Sequence, residues 1–107
     1  MPDDDSVITA DGVRLFLHVA GPDARSLVVP GVGADLDFAR LGERRRVAFY
    51  DIRNRGRSDP VDGSGLVGLP VEIDDVETVR ADAGFARTSI LGWSYVCLLY
   101  TSDAADE

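Results

Sequence analysis

Short apolar segments recur along this chain at the spacing of strands in a layered α/β protein. They lie at residues 27–29, 47–50 and 88–91. Strands with continuous apolar sequence are typical of parallel sheets that helices cover on both faces. Helices are expected between the segments, at residues 35–43 and from residue 70 onwards. This alternation predicts an α/β fold with a largely parallel sheet and flanking helices.

The chain opens differently, with the pattern of an antiparallel hairpin. Residues 8–12 resemble the end of a strand and a turn at Asp11-Gly12, and residues 13–19 alternate loosely between apolar and polar side chains. An Asp-Gly pair favours a tight hairpin turn, and the alternation is typical of a half-exposed strand. We therefore expect an N-terminal hairpin, and a flexible surface loop at residues 63–68.

The two expected helices carry local signals at their ends. Asp35 is a candidate N-cap for the first helix, which is expected to end at about Glu43. In the second helix, Asp74 and Asp75 are expected in the first turn, where the helix dipole favours carboxylates, and Gly84 suits the C-terminal cap. The apolar side chains of this helix share one face: Ile73, Val76, Val79 and Ala83.

Length and composition exclude several classes of function. The 107 residues allow one small domain, and the net charge of −8 argues against nucleic acid or an anionic membrane as a partner, since both require a basic surface. No apolar run reaches the ~18 residues of a membrane span. The single cysteine, Cys97, excludes a disulfide framework and a cysteine zinc site. We expect a cytoplasmic protein for which no metal or organic cofactor is implied.

Ser94 is the strongest candidate for chemistry. The last apolar segment leads directly into Gly92-Trp93-Ser94-Tyr95, the arrangement of a nucleophile elbow, in which a sharp strand-to-helix turn holds a serine hydroxyl above the sheet. The crowded backbone of such a turn requires small neighbours, which Gly92 provides, although Val96 replaces the second glycine of G-x-S-x-G. An ordinary strand-to-turn junction is the alternative, and the preceding apolar strand favours the elbow.

The loop Pro30-Gly31-Val32-Gly33 follows an earlier apolar strand and is a candidate oxyanion-binding loop. Backbone N–H groups in such a loop can receive a developing negative charge. The N–H of Val32, with that of Tyr95, would form an oxyanion hole of two donors. A plain turn that uses glycine for positive φ is the alternative.

A dinucleotide-binding fingerprint is a competing interpretation of the same loop. Gly31-x-Gly33 follows a strand, and Asp51 lies at the end of the next strand, about twenty residues further on. However, Leu36 occupies the third glycine position and is too bulky for close contact between helix and strand. A hairpin also precedes the supposed first strand, so this interpretation is weak.

Two other features are expected to have structural roles. Residues 51–59 alternate acidic and basic side chains, and we expect local ion pairs and backbone hydrogen bonds to hold this loop at the edge of the sheet. His18 is the single histidine and lies early in the chain, so we expect it at the surface rather than beside Ser94 as a base. Trp93 and Tyr95 would line an acyl pocket or pack on neighbouring strands.

Together these segments resemble the α/β-hydrolase fold family, in its cytosolic esterase and prolyl-aminopeptidase-like branch. Residues 30–33 stand where the family has His-Gly-Gly-Pro or a similar sequence. Residues 51–59 resemble the motif D-x-R-G-x-G-x-S, with Asn54 in place of the usual glycine. The third motif is Gly92-Trp93-Ser94, and the resemblance covers about residues 6–96.

The resemblance implies a partial α/β-hydrolase sheet, truncated after the nucleophile elbow, with residues 1–96 as the N-terminal part of the domain. It implies a serine hydrolase for a small ester, amide or similar acyl compound, with Ser94 as nucleophile and Val32 and Tyr95 as oxyanion donors. Serine rather than aspartate at the elbow argues against the dehalogenase and epoxide-hydrolase branches. The family's catalytic acid and histidine lie beyond the elbow, so we expect this chain alone to be inactive. A non-catalytic ligand-binding protein of the same fold is the alternative.

Residues 97–107 depart from the alternation of strands and helices. A helix with an apolar face is expected after the elbow, but Thr101-Ser102-Asp103 interrupts the pattern. The segment resembles a translated adapter sequence at the end of an assembled fragment. We therefore predict a non-native tail here, with a genuine short C-terminal helix as the alternative.

Overall fold

The computed structural model describes residues 4–61 and 69–91. Within them, five strands form one sheet in the spatial order β1-β2-β4-β3-β5. The strands are β1 (Asp4–Ile8), β2 (Arg14–Ala20), β3 (Ser26–Gly31), β4 (Arg46–Asp51) and β5 (Ser89–Ile90). The helices are α1 (Ala34–Asp37), a 3₁₀ helix (Ala39–Glu43) and α2 (Leu69–Asp82). The expected elbow, the loop at 63–68 and the tail at 97–107 lie outside the described residues.

The sheet is mixed, with an antiparallel part and a parallel part. β1 pairs with β2 and β2 pairs with β4 in antiparallel orientation. The expected hairpin is confirmed, and its turn is closed by the Gly12 N–H, which donates to the Thr9 carbonyl oxygen at 3.0 Å. β3 pairs in parallel with β4 on one side and with β5 on the other. Among the described strands β2 alone runs opposite to the others, so the sheet is an N-terminal hairpin joined to parallel strands, as the sequence predicted.

Helices cover the sheet on both faces, as the apolar strands required. Successive residues of a strand point to opposite faces. On β3, Val28 packs in a cluster that includes Val76 and Val79 of α2, whereas Val29 packs with Ala34 of α1. Both β3 valines are fully buried. The continuous apolar sequence of β3 thus follows from its position between two layers of helix.

The first helix differs from the expected one. α1 begins after Gly33, which has a left-handed φ of +68° and makes no side-chain cap, so the prediction of Asp35 as the N-cap is wrong. α1 ends at Asp37, and the 3₁₀ helix continues to Glu43 after Phe38, whose backbone is not helical. A positive φ at glycine turns the chain sharply out of β3 without steric cost. This turn starts the helix earlier than a side-chain cap at Asp35 would.

The second helix confirms the expected C-terminus and two positions of the expected apolar face, whereas Ile73 is only partly buried. Val76 and Val79 are buried, and Gly84 adopts φ +79° after the last turn. The expected place of Asp74 and Asp75 in the first turn is wrong, because both lie in the second turn. Asp75 is buried beneath the hairpin turn and the loop after β4. None of the described helices is both long and apolar enough to span a membrane.

Asp75 is buried because Arg53 pairs with it. The Arg53 Nε and Nη2 atoms donate to the two carboxylate oxygens of Asp75 at 2.7 and 2.8 Å, and both side chains are only 2% exposed. The same guanidinium donates to Asp11, in the hairpin turn, at 2.8 and 3.1 Å. Hydrogen bonds from Arg53 and then from Thr9 hold the pKa of Asp11 well below its usual range. Arg53 therefore joins the hairpin, the loop after β4 and α2.

Replacing Asp75 with alanine is expected to destabilise the chain by about 3–5 kcal/mol. The substitution leaves the buried guanidinium of Arg53 with half of its carboxylate partners, and breaking a buried pair from one side is costly. Asp74→Ala is the matched control, since Asp74 is the exposed neighbour on the same helix and its loss should change stability by no more than about 0.5 kcal/mol. Urea unfolding measures both variants. Equal losses would contradict the role of the pair.

Candidate active site

The carboxyl ends of the parallel strands meet at one edge of the sheet. β3 ends at Gly31 directly beside Asp51, the last residue of β4. β5 runs parallel on the other side of β3, and the Leu91 N–H that follows it donates to the Val28 carbonyl oxygen at 3.0 Å. In open α/β sheets, ligands bind beyond the carboxyl ends of the strands. This edge is therefore where a functional site is expected.

The loop after β3 places the exposed residue Val32 at this edge. Val32 is 51% exposed, and the structure shows no acceptor for its N–H among residues 4–61 and 69–91. The next N–H, that of Gly33, donates to Asp51 Oδ1 at 3.0 Å. One amide of the loop is thus held by a carboxylate while its neighbour remains available.

Asp51 is the buried anchor of this loop. Besides the Gly33 N–H, its carboxylate accepts the Arg57 backbone N–H at 2.7 Å and the Arg57 Nε and Nη2 donors at 2.9 and 3.0 Å. Burial alone raises the pKa of Asp51, but the hydrogen bonds from Arg57 and Gly33 outweigh burial and bring the pKa below its usual value. Asp51 is therefore a charged structural group that fixes the loop after β3.

Arg57 extends this contact to the first helix and the hairpin. Its guanidinium also pairs with Asp35 of α1, with Nη1 at 3.3 Å from Oδ2, and its Cζ lies 3.6 Å from the ring centroid of Phe16 on β2. Hydrogen bonds with Asp51 and then with Asp35 raise the pKa of Arg57 above its usual value. A guanidinium over an aromatic face gains a further cation–π attraction. Arg57 therefore stays charged and binds β2, α1 and β4 together.

Gly56 allows the charged loop to approach both Asp51 and Val32 closely. A Cβ atom at Gly56 would lie 2.5 Å from Asp51 Oδ2 and 2.9 Å from Val32 Cγ1, and the residue has φ +54°. A side chain at this position would clash with the Asp51 carboxylate and with the Val32 side chain. Glycine is required here by space as well as by backbone conformation.

Asn54, which departs from the family's glycine, has a physical explanation. It is the non-glycine residue with positive φ, at +65°, among the described residues. Asparagine tolerates the left-handed region better than most residues, and its Oδ1 accepts the Val61 N–H at 3.0 Å. The substitution therefore preserves the turn that glycine would form.

Ser58 and Asp59 attach the end of the loop to β2. The Ser58 hydroxyl accepts the Phe16 N–H at 2.9 Å and donates to the Asp51 carbonyl oxygen. Asp59 accepts the Arg14 N–H through its side chain, and its own N–H donates to the Arg14 carbonyl oxygen at 2.9 Å. The expectation of local ion pairs is confirmed for Arg57 with Asp51, whereas Arg53 pairs with Asp11 and Asp75 outside the loop.

The structure locates only some of the residues predicted to act in chemistry. Val32 lies in an exposed loop at the carboxyl edge, as expected, whereas Ser94 and Tyr95 lie outside the described residues. His18 is on β2, half-buried, with its ring 6.1 Å from that of Phe49, so its description as a plain surface residue is incomplete.

The dinucleotide interpretation is disfavoured by the contacts of Asp51. A ribose hydroxyl would need a free carboxylate at the end of the second strand. The Asp51 carboxylate is instead buried and accepts hydrogen bonds from Arg57 and Gly33. Within residues 4–61 and 69–91, no group of three or more histidine, cysteine or acidic side chains is placed to hold a metal ion.

The pairing of Asp35 with Arg57 is the part of the site that the sequence does not reveal. Alternating charges at residues 51–59 indicate ion pairs but not their partners. Asp35 and Arg57 are 22 residues apart, and only the parallel pairing of β3 with β4 brings their loops together. The sequence signal for this ion pair is an acidic residue just after a glycine-rich turn. The same signal is equally typical of a helix N-cap.

No protein-family model and no curated protein matches the sequence. Solved structures do match the fold. The chain aligns over 98% of its length with a proline iminopeptidase-related protein from Thermus thermophilus, with a TM-score of 0.88 and 18% identity. It aligns over its whole length with an alpha/beta hydrolase from Novosphingobium aromaticivorans, with a TM-score of 0.83 and 27% identity. A third match, reported among epoxide hydrolases from metagenomes of hot environments, has a TM-score of 0.86 and 17% identity over 99% of the chain.

These matches identify the class of protein. The mixed sheet, the two layers of helix and the loops at the carboxyl edge are those of the α/β-hydrolase fold, and the chain is an α/β-hydrolase-fold protein. It spans 40%, 41% and 38% of the three matched structures in the order given above.

Replacing Gly56 with alanine is expected to cost more than the left-handed conformation alone explains. The strain of a side chain at positive φ costs about 1–2 kcal/mol, and the clash with Asp51 and Val32 should add about 1–3 kcal/mol. Gly84→Ala is the matched control, because Gly84 has φ +79° and open space around its missing Cβ. Urea unfolding of both variants separates the two costs. Similar losses in the two variants would show that the close approach at Gly56 is unimportant.

Replacing Asp51 with asparagine is expected to weaken the dependence of the free energy of unfolding on pH in the acidic range. The folded-state pKa of Asp51 lies below 3.8, its usual value, so the ionised carboxylate stabilises the fold at neutral pH. That contribution is lost as the pH falls below 3.8 toward the folded-state pKa, and the variant lacks it. Urea unfolding between about pH 2 and pH 7 measures the profile. Asp37→Asn, at an exposed carboxylate of α1, should keep the wild-type slope; an unchanged slope in Asp51→Asn would contradict the assignment.

Proposed function

We propose that this chain belongs to a serine hydrolase that acts on a small ester, amide or similar acyl compound. The observation that carries the proposal is Val32, an exposed residue at the carboxyl edge of β3 whose N–H has no acceptor among residues 4–61 and 69–91, next to the strand that leads into Gly92-Trp93-Ser94. A nucleophile and an oxyanion donor on neighbouring strands are the two parts that acyl transfer requires first.

The strand pairing supports this arrangement. Leu27 pairs with Ser89 and Val28 with Ile90 in the parallel ladder. β5 therefore runs toward the same carboxyl edge of the sheet at which the loop after β3 lies. In the proposed site the Ser94 hydroxyl therefore meets the substrate carbonyl beside the loop after β3.

The proposed reaction uses the Ser94 side chain as nucleophile and two backbone amides as oxyanion donors. The Ser94 Oγ attacks the acyl carbon, its proton passes to a base, and the carbonyl oxygen becomes an oxyanion. The N–H groups of Val32 and Tyr95 would donate to that oxygen. In acyl-transfer enzymes, loss of one such donor costs about 2.7–4 kcal/mol of transition-state stabilisation.

Asp51 would act as a positioning residue in this scheme. Its hydrogen bond to the Gly33 N–H fixes the loop immediately after Val32, and its pairing with Arg57 fixes the carboxylate itself. A preorganised donor stabilises the oxyanion without reorganisation at the moment of reaction. The charged loop thus supports the site without touching the substrate.

The base and the acid of the proposed reaction are assigned to no residue of this chain. His18 pairs with Phe49 in the sheet and packs against its ring. Removing the base from a serine triad costs on the order of 10⁶ in turnover. We therefore expect negligible hydrolysis by the 107-residue chain alone. A cytoplasmic location and the lack of a nucleic-acid or membrane partner remain predictions from the sequence, and a small-molecule substrate remains one from the family resemblance.

Covalent labelling of Ser94 tests the proposal. A hydrolase-fold protein that carries this segment is treated with a fluorophosphonate probe, and the labelled residue is identified by peptide mass spectrometry. We expect the label on Ser94 and its complete loss in Ser94→Ala, with hydrolysis of a p-nitrophenyl ester falling by about 10⁴ or more. Ser89→Ala is the matched control, because Ser89 is an exposed serine on β5 outside the proposed site.

Two results would overturn the proposal. Labelling that survives in Ser94→Ala would place the nucleophile elsewhere. Binding of a small acyl ligand without any labelling of Ser94 would support the alternative, a non-catalytic ligand-binding protein of the same fold.

A further inference from the structure

Three arginines lie in register at the amino edge of the parallel strands. Arg25 precedes β3, Arg45 precedes β4 and Arg87 precedes β5. The ladder pairs Ser26 with Arg46, and the Arg46 N–H donates to the Arg25 carbonyl oxygen at 3.1 Å, so Arg25 and Arg45 stand side by side one position earlier. On the other side, the Ser26 hydroxyl donates to the Arg87 carbonyl oxygen at 2.7 Å.

These arginines line one open cleft of about 340 Å³. The other lining residues carry hydroxyl groups: Ser26, Thr88 and Ser89. Among the described residues no carboxylate lines this cleft, and none of the three arginines forms an ion pair. Arg45 is half-buried, and Arg25 and Arg87 are exposed. The cleft therefore gathers three positive charges and hydroxyl groups.

The three guanidiniums repel one another in this arrangement. Neighbouring strands are about 4.8 Å apart, and like charges that face each other across strands destabilise a sheet. Elsewhere the chain compensates its guanidiniums, as with Arg53 and Arg57, which each pair with two aspartates. The amino edge differs, because its three arginines lie side by side and form no ion pair with a carboxylate in the part of the chain that the structure describes.

We propose that this cleft binds a compact phosphate group, either inorganic phosphate or the phosphate of a small monoester. Guanidinium groups donate in a fixed fork that matches phosphate oxygens, and the Ser89 hydroxyl adds a neutral donor. The hydroxyls of Ser26 and Thr88 already donate to backbone carbonyl oxygens. The cleft volume suits a small ligand. An extended polyanion is disfavoured, because the net charge of −8 repels it outside the cleft. The site lies at the opposite edge of the sheet from Val32 and does not depend on the proposed serine chemistry.

Phosphate titration of the 107-residue chain tests the site. Amide chemical shifts are followed by NMR at constant ionic strength, first with inorganic phosphate and then with glycerol phosphate. Saturable shifts are expected at the amides that line the cleft, those of Ser26, Thr88 and Ser89. Arg45→Gln and Arg87→Gln should each weaken binding about tenfold, because each removes a charged donor. Tighter binding of the ester would identify a phosphorylated metabolite as the ligand, and equal binding would identify free phosphate.

The matched control is Arg40→Gln, which removes the same charge from an exposed arginine outside the cleft. It should leave the affinity unchanged within about twofold, as expected for a screened surface charge. Equal weakening by all three variants would show that net charge alone attracts phosphate and would overturn the proposal. So would linear, non-saturating shifts in the wild-type chain, or shifts centred on other residues, and neither result depends on the folding of a variant.

Discussion

The buried carboxylate of Asp51 is the contact on which the carboxyl edge of the sheet depends. It ends β4, holds the Gly33 amide of the neighbouring loop and binds Arg57, which in turn reaches Asp35 and covers Phe16. A carboxylate in such a place is stable only when its oxygens are well satisfied, since an unpaired buried charge is costly. The conformation of the loop after β3 therefore follows from charges located on the loop after β4. An exposed Val32 residue beside a fixed Gly33 amide is the outcome.

Local patterns in the sequence are sufficient for the hairpin, the apolar strands and the apolar face of α2, because each depends on periodicity or on a turn within a few residues. Strand order is not predictable in this way, since placing β4 between β2 and β3 depends on contacts between distant segments. The same reason explains the errors at Asp35 and Asp75. Proximity in sequence assigns both to helix ends, whereas both are bound by arginines 22 residues away. In the candidate site, the position of Val32 follows from the sequence, and the role of Ser94 stays a prediction.

The arginines at the two edges of the sheet differ in whether they pair with carboxylates. At the carboxyl edge, Arg53 and Arg57 each pair with two aspartates, so carboxylates compensate both guanidiniums. At the amino edge, arginines stand in register around an open cleft whose described lining contains no carboxylate. In a chain with a net charge of −8, a local excess of positive charge creates a focused field rather than a general attraction for anions. Recognition at that edge would therefore favour small ligands.

The guanidinium of Arg53 has a consequence for how the chain opens. It touches the hairpin turn through Asp11 and the second helix through Asp75, two segments that are distant in sequence. Separating either segment from the sheet would break one of the ion pairs of Arg53 and expose its guanidinium to solvent. Amide hydrogens of β1, β2 and α2 should therefore exchange with solvent through a shared opening, as one cooperative unit rather than by independent fraying.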